Sequence, residues 1–241
     1  MNVTIDIGNT RTKIGIFEKG ELKQYWFIGN TEILQLEDTL TNHSVKNVIL
    51  STVAQNVGEQ IRAFLGKGVT FIELNEKTPL PITNLYRSPQ TLGKDRLAAV
   101  VGATVINQTG NNLIIDAGTC ITFDLLTADH KYLGGNISPG IRMRLKAMHA
   151  FTERLPAVEP KETESTIGYD TQSAMQNGAQ WGTIWEIEGA IDSFNTKFDP
   201  LAIFLTGGDA IFLAEKMKRK IFVHQHLVLL GLNKILDYNV E

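Results

Sequence analysis

An alternation of apolar and polar residues near the start of the chain occurs again in its second half. Ile5-Asp6-Ile7-Gly8-Asn9-Thr10 and Ile115-Asp116-Ala117-Gly118-Thr119-Cys120 share the order apolar, acid, apolar, glycine, and Asp6 and Asp116 lie 110 residues apart. A second alternating stretch follows each copy, at residues 13–17 and 121–126. Alternation with period two predicts β-strands, and the repeat predicts two duplicated halves that each begin with a strand meander.

The rest of the pattern predicts helices and buried strands after each meander. In the first half, helices are predicted at residues 31–41 and 55–65, with an apolar strand at 45–51 between them. In the second half, the predictions are a helix at 184–194, a buried strand at 202–206 and a helix at 210–217. The sequence therefore predicts an α/β protein with two domains, residues 1–109 and 110–241, divided at the polar stretch 108–112.

Composition narrows the class of protein. The 241 residues are 43% hydrophobic and 20% charged, which is typical of a globular chain and excludes disordered and collagen-like classes. No apolar run reaches the roughly 20 residues of a membrane-spanning helix and no secretion signal precedes the first strand, so we expect a cytoplasmic protein without a membrane partner. Cys120 is the single cysteine, which excludes an internal disulfide. The net charge of −3 gives no general attraction to nucleic acid, and no such partner is expected.

The candidate chemistry is concentrated in the glycine turn after the first strand. The chain has no Walker A, G-x-G-x-x-G, H-E-x-x-H or G-x-S-x-G motif. The Asp6 carboxylate can hold a hydrated Mg²⁺, and Gly8 allows close approach of the backbone to a ligand. Three side chains of the turn offer donors to phosphate oxygens: Asn9, Thr10 and Thr12. A plain polar hairpin turn is the alternative, but the second copy at Asp116 favours a paired phosphate site.

A series of motifs in fixed order resembles the type III pantothenate kinase family nearly from end to end. The motifs are Asp6–Thr10, Tyr86–Arg96, Ile115–Thr119, Gly134–Gly140, Leu155-Pro156 after Thr152, Thr166–Gly168 before Thr171, and Leu205–Gly208. The resemblance implies two ribonuclease-H-like domains of the actin-like ATPase fold, each a mixed sheet flanked by helices, with the active site in the cleft. It also implies ATP-dependent phosphorylation of pantothenate to 4′-phosphopantothenate, the first step of coenzyme A biosynthesis.

The same resemblance implies roles for single residues. Asp95 matches the family's general base. The residues that match the pantothenate site are Tyr86, Gly93, Lys94, Asp95, Arg96 and Thr171. Those that match the nucleotide site are Asp6, Ile7, Gly8, Asn9, Thr10, Arg11, Thr12, Lys13 and Thr119. Asp116 matches the ligand of a monovalent cation, K⁺ or NH₄⁺, and Asp6 stays the candidate ligand of Mg²⁺.

The resemblance further implies a homodimer. In the family, the threonine that Thr171 matches can come from the neighbouring subunit. The implied partners are therefore pantothenate, ATP and a second copy of this chain, with the active site completed across the interface.

The residues alone leave other interpretations open. Asp95 can cap the helix predicted to run through 97–100, which would leave Arg96 exposed. A kinase of the same fold can act on another small hydroxylated acid or sugar. A regulatory module can keep the nucleotide fold without turnover and act on transcription. In that case the cationic runs 142–146 and 216–220 would contact nucleic acid, although we expect them to be solvated helix faces.

Overall fold

The computed structural model describes residues 1–42, 44–52 and 56–240, apart from the side chain of Asn42. The strands are β1 (Asn2–Ile7), β2 (Thr12–Glu18), β3 (Glu21–Ile28), β4 (Asn47–Thr52), β5 (Thr70–Glu73), β6 (Thr83–Asn84), β7 (Asn111–Ala117), β8 (Cys120–Leu126), β9 (Lys131–Pro139), β10 (Leu201–Thr206) and β11 (Phe222–Val223). The α-helices are α1 (Leu36–Asn42), α2 (Val57–Phe64), α3 (Lys94–Ile106), α4 (Ile141–Ala150), α5 (Thr171–Phe198), α6 (Ala210–Lys216) and α7 (Leu227–Val240).

Most of the predicted elements are present. The strands expected at 13–17, 45–51 and 202–206 are confirmed as β2, β4 and β10. The helix expected at 55–65 is confirmed as α2, although Gln55 lies outside the described residues. The stretch 31–41 is helical only in part, since a 3-10 turn at Ile33–Gln35 precedes α1.

The chain folds into two compact units. The first comprises Met1–Thr109, Leu126–Gly134 and His226–Glu241, and the second comprises Gly110–Leu125 and Gly135–Gln225. The sequence assigns 126–134 and 226–241 to the second half instead. They belong to the first unit because β9 begins beside β6 and α7 packs on α3. The division into two domains after Thr109 stays a prediction.

The first unit is built on a mixed sheet in the order β3-β2-β1-β4-β5. The central strand β1 runs antiparallel to β2 and parallel to β4, so its carboxyl end and that of β4 reach the same edge. Val3, Ile5 and Ile7 pack with residues of α1 and α2 into one apolar core. The opposite side of β1 is also buried and carries Thr4 and Asp6. A charged side chain is thus placed inside the unit, at the end of its central strand.

Helices α3 and α7 approach each other closely within the first unit, because each has a glycine at the contact. A Cβ at Gly102 would lie 2.2 Å from the carbonyl oxygen of Leu227, and one at Gly231 would lie 1.7 Å from that of Ala98. Helix α7 also contacts β1 and β4. Glycine therefore sets the position of α3, whose first turn carries Lys94 and Asp95.

The second unit contains the strand order β11-β10-β7-β8-β9, in which β10 runs parallel to both β7 and β11. Its apolar core includes Leu113 and Ile115 of β7 and Ile184, Ile187 and Ile191 of α5. The predicted helix at 184–194 lies in the C-terminal half of the much longer α5, which spans 28 residues.

Helix α5 carries two neighbouring tryptophans one turn apart. The rings of Trp181 and Trp185 have centroids 6.5 Å apart, and the Trp181 indole N–H donates to the carbonyl oxygen of Ser165 at 3.0 Å. Trp185 is 55% exposed. Across the described ranges, no helix combines the length and apolar character needed to span a bilayer.

Candidate active site

The Asp6 carboxylate lies between two partners held at the same level of the first sheet. In the strand register, Asp6 stands opposite Lys13 of β2 and Ser51 of β4. The Ser51 hydroxyl donates to Asp6 Oδ1 at 3.0 Å, and Lys13 Nζ lies 3.5 Å from Asp6 Oδ2. Burial raises the pKa of the Asp6 carboxyl; Lys13 opposes the rise, and the charge of Asp95 adds to it. An added cation would stabilise the charged form of this buried acid.

The turn after β1 is held by a side chain that the sequence did not reveal. Asn30 Nδ2 donates to the carbonyl oxygen of Gly8 at 2.8 Å, and the Thr12 hydroxyl donates to Asn30 Oδ1 at 2.9 Å. The Gly8 N–H donates to the carbonyl oxygen of Arg11 at 3.2 Å, which closes the turn. Thr12 is fully buried and its hydroxyl contacts Asn30. Its predicted contact with phosphate stays a prediction.

Arg11 projects from the same turn and is positioned by an aromatic ring. Its guanidinium carbon lies 4.2 Å from the centroid of the Phe27 ring on β3. A cation over an aromatic face is attracted by the ring quadrupole, so the exposed Arg11 side chain is held at the turn.

The first turn of α3 carries three of the predicted substrate residues in three different environments. Lys94 Nζ donates to the carbonyl oxygen of Thr52 at 2.9 Å. Asp95 is exposed, and its Oδ1 accepts from the backbone N–H of Arg96 at 2.8 Å. The N-cap of α3 is Gly93, and no side chain makes a capping hydrogen bond there. Arg96 is only 5% exposed and does not face solvent, so the interpretation of Asp95 as a helix cap is wrong on both points.

One cavity of about 190 Å³ in the first unit brings the two predicted acids together. It is lined by Asp6, Ile7, Gly8, Asn9, Ser51, Thr52, Lys94 and Asp95. Ser51 and Thr52 were not predicted as site residues. They were detectable, because the carboxyl ends of neighbouring parallel strands meet at one edge of a sheet and β4 ends at Thr52.

A second group of predicted residues meets at Tyr86. The Tyr86 and Tyr132 rings stack with an interplanar angle of 8° and centroids 6.1 Å apart. The guanidinium carbon of Arg96 lies 5.7 Å from the Tyr86 ring centroid. Gly134 has φ +102°, and a Cβ there would lie 3.0 Å from the Tyr86 ring, so glycine keeps the ring in place. The structure thus brings the Arg96 side chain to the Tyr86 ring, ten residues earlier in the sequence.

Within the second unit, Asp116 lies at the end of β7, opposite Thr206 of β10. The turn after β10 presses against it: Gly207 has φ +98°, and a Cβ there would lie 2.5 Å from Asp116 Oδ1. Thr119 is exposed in the two-residue turn between β7 and β8. Its carbonyl oxygen accepts the N–H of Gly140 at 3.1 Å.

Thr171 is the first residue of α5 and is exposed. The preceding Asp170 caps this helix, since its carboxylate accepts the N–H of Ser173 at 2.7 Å. In the part of the chain that the structure describes, no cluster of three or more His, Cys, Asp or Glu side chains is placed to hold a metal ion.

The two cationic runs of the second unit are engaged in ion pairs. The pairs are Arg142 with Glu159, Arg144 with Glu186, Lys216 with Glu162, and Arg219 with Asp192. These four cations each have an acidic neighbour within their own unit.

The fold is shared with solved structures of sugar kinases and of other proteins with the actin-like ATPase fold, as the sequence predicts. A ROK hexokinase from Thermus thermophilus matches with a TM-score of 0.53 at 13% identity over 99% of each chain. A Campylobacter jejuni protein, described as belonging to the Baf family of transcriptional activators, matches with a TM-score of 0.65 at 23% identity over 98% of each chain. At these identities the likeness shows the fold alone.

Sequence comparison assigns the family. The sequence model of type III pantothenate kinase matches residues 2–193. A type III pantothenate kinase from Phocaeicola vulgatus is 43% identical over 240 residues, which cover 99% of both chains. The chain belongs to the type III pantothenate kinase family.

Proposed function

We propose that this protein transfers the terminal phosphoryl group of ATP to the primary hydroxyl of pantothenate. The products are ADP and 4′-phosphopantothenate, and the reaction is the first step of coenzyme A biosynthesis. Family membership supports the substrates. The observation that carries the assignment to this site is that Asp6 and Asp95, from two separate motifs, line the same cavity.

Asp95 is proposed to orient the acceptor hydroxyl and to accept its proton. One of its oxygens accepts the N–H of Arg96, which fixes the carboxylate and leaves the other oxygen for the substrate. In a loose phosphoryl-transfer transition state the bond to the acceptor oxygen is only slightly formed, so the hydroxyl need not be deprotonated beforehand. Orientation of the hydroxyl is then the main requirement. The exposure of Asp95 allows a substrate to reach it.

Asp6 is proposed to hold Mg²⁺ together with phosphate oxygens and water. The fit is chemical: Mg²⁺ prefers oxygen ligands and usually binds through one or two carboxylates, and the cavity offers the carboxylate of Asp6. When bound, the ion neutralises negative charge on the phosphates. The chain's own turn, from Gly8 to Lys13, is proposed to position those phosphates through its backbone and through Asn9, Thr10 and Arg11.

Pantothenate is proposed to bind beside the aromatic wall of Tyr86, with Arg96 as the partner of an anionic or polar group of the substrate. Thr171 is proposed to reach the site from the partner subunit of a homodimer. The exposed apolar side chains just before it support a contact surface, since Ile167 is 75% and Tyr169 is 88% exposed.

The assignment of Asp95 is tested by Asp95→Asn, which keeps the shape of the side chain and removes its ability to take a proton. Turnover of ATP and pantothenate, measured by coupled ADP release, should fall by at least about 100-fold. ATP binding, measured by calorimetry, should stay near the native value. Asp38→Asn, an exposed acid of α1, is the control. Near-native turnover of Asp95→Asn would rule out Asp95 as the general base. A separate assay of the native protein with a panel of other hydroxylated acids and sugars would show whether another acceptor is preferred to pantothenate.

Asp116 is proposed to bind a monovalent cation, K⁺ or NH₄⁺, and Thr119 to contact the phosphates of ATP. Replacing K⁺ by Na⁺ in the assay should then reduce the rate about tenfold or more, because the larger ion loses its water at lower cost. Asp116→Asn should abolish the difference between the two ions. Equal native rates in K⁺ and Na⁺ would remove Asp116 from this role.

A further inference from the structure

Lys94 is the only cation among the described residues that line the cavity of Asp6 and Asp95. Its ammonium donates one hydrogen bond, at 2.9 Å, to the carbonyl oxygen of Thr52 at the end of β4. The other nearby cation, Lys13, lies 3.5 Å from Asp6 Oδ2 and is already paired with it. Among the described residues, Lys94 forms no ion pair of this kind, so its charge is not committed to either acid.

A phosphoryl group in transit needs positive charge at this place. During transfer, negative charge spreads over the three equatorial oxygens of the phosphoryl group. The carboxylates of Asp6 and Asp95 line the cavity and oppose that charge. A lysine ammonium has three donors, and the contact with Thr52 uses one of them. The other two are available to a phosphoryl group, and the contact fixes where the ammonium stands.

We infer that the Lys94 ammonium donates hydrogen bonds to the phosphoryl group as it passes from ATP to the acceptor hydroxyl. Lys94 is then a catalytic residue of the reaction proposed above, on which this inference rests. The acceptor oxygen forms its bond to the γ-phosphorus, and the bond from that phosphorus to the bridging oxygen breaks with its electron pair going to ADP. The hydroxyl proton passes to Asp95. Lys94 remains protonated throughout and only stabilises charge.

This role differs in a measurable way from the contact with pantothenate that the sequence implies for Lys94. An interaction made only in the transition state lowers kcat when it is removed, whereas one made equally with the bound substrate raises KM. The two roles are therefore separated by the kinetic parameter that changes.

Lys94→Met removes the charge and the donors while keeping a long apolar stem. We expect kcat to fall about 100-fold, as for other preorganised donors to developing charge. KM for pantothenate and for ATP should each stay within about threefold of native, because ground-state binding is not what the ammonium supplies. Lys67→Met, at an exposed lysine of the same unit, is the matched control and should keep native kinetics. A raised KM for pantothenate with native kcat, or native values of both, would overturn the inference.

Chemical restoration separates a catalytic ammonium from a merely structural side chain. Lys94→Cys in a Cys120→Ser background carries one thiol, which 2-bromoethylamine converts to an ammonium-bearing chain of nearly lysine length. Alkylation should raise kcat at least about tenfold towards that of the Cys120→Ser protein, with an unchanged circular dichroism spectrum. Complete alkylation without any gain in kcat would overturn the inference.

The two proposals fail in different ways. If the native protein with ATP, Mg²⁺ and K⁺ does not phosphorylate pantothenate, the proposed function is wrong and the role of Lys94 falls with it. If the native protein is active and Lys94→Met retains its kcat, only the inference about Lys94 is wrong.

Discussion

Asp6 combines a charge with burial and thereby lowers the stability of the fold. The side chain is 2% exposed, and burial raises the pKa of its carboxyl above the ordinary 3.8. The folded protein therefore holds this proton more tightly than the unfolded chain does. The contribution of Asp6 to the free energy of unfolding is most favourable at low pH and falls as the pH rises from about 4 through the raised pKa. An ionised carboxylate at this position is a charge that folding does not favour.

Asp6→Asn should make the protein more stable and less active at the same time. The substitution removes the carboxylate whose charged form burial disfavours, so Tm at pH 8 should rise by about 2–4 °C, which corresponds to roughly 1 kcal/mol in a chain of this size. The difference between variant and native Tm should shrink as the pH is lowered towards the ordinary pKa of 3.8, because protonation removes the charge from the native carboxyl. Scanning calorimetry at several pH values measures both trends, with Asp38→Asn as the exposed control. A difference that grows at low pH would contradict the argument.

Single residues differ in how far the sequence predicts them. Asp6 and Asp95 were identified because each stands in a recognisable motif, and both line the cavity. The contact of Asn30 depends on the path of the chain after β3, which the sequence does not predict. The place of Ser51 at the end of β4 is predictable, but its hydrogen bond to Asp6 depends on the strand register. No local pattern marks an asparagine that bonds a turn 22 residues away.

Among the elements, the pair α3 and α7 has the closest connection to the site. Helix α3 carries Lys94 and Asp95, and its position depends on contact with α7 through Gly102 and Gly231. At these two glycines the backbones of α3 and α7 are in direct contact, whereas larger side chains would hold the helices apart. The geometry of the cavity therefore depends on a helix contact at some distance along α3.

Gly231→Ala should displace α3. The new methyl group would meet the carbonyl oxygen of Ala98 at 1.7 Å, and overpacking of this kind costs about 1–3 kcal/mol or more. Urea unfolding should show this loss, and kcat/KM should fall because Asp95 moves with the helix. Gly189→Ala on α5 is the matched control, since nothing lies within 4 Å of the added Cβ. It should stabilise the protein by about 0.5–1 kcal/mol. Equal effects of the two substitutions would contradict the packing argument.

The bounds of two helices show where the local sequence pattern does not suffice to predict an element. The sequence predicts the long helix α5 only at 184–194, because Gly178 and Gly182 lower helix propensity and interrupt the apolar periodicity before that stretch. Its true start is marked by the Asp170 and Ser173 capping box. The pattern does not predict helix α7, since its first part, 227–232, is apolar on all sides and gives no amphipathic signal.

At the scale of the whole molecule, the proposed homodimer makes each active site depend on two chains. If Thr171 serves the partner's site, a hybrid dimer of Asp95→Asn and Thr171→Ala subunits contains one site with both native residues. Each variant alone should have low activity at subsaturating pantothenate. Mixing equal amounts after dissociation and reassembly should restore about a quarter of native activity, because half of the dimers are hybrids with one native site of two. Activity equal to the mean of the two variants would place Thr171 in its own subunit's site.

The positions of the tryptophans allow the unfolding of each unit to be followed by fluorescence. The chain has three, of which Trp26 lies on β3 in the first unit and Trp181 and Trp185 lie on α5 in the second. In a Trp26→Phe protein, the whole emission spectrum comes from α5, so its red shift during denaturation follows the second unit. In a protein with both Trp181→Phe and Trp185→Phe, Trp26 is the remaining tryptophan, and its emission reports the unfolding of the first unit. Comparison of the two denaturation midpoints reads out whether the halves lose their structure together.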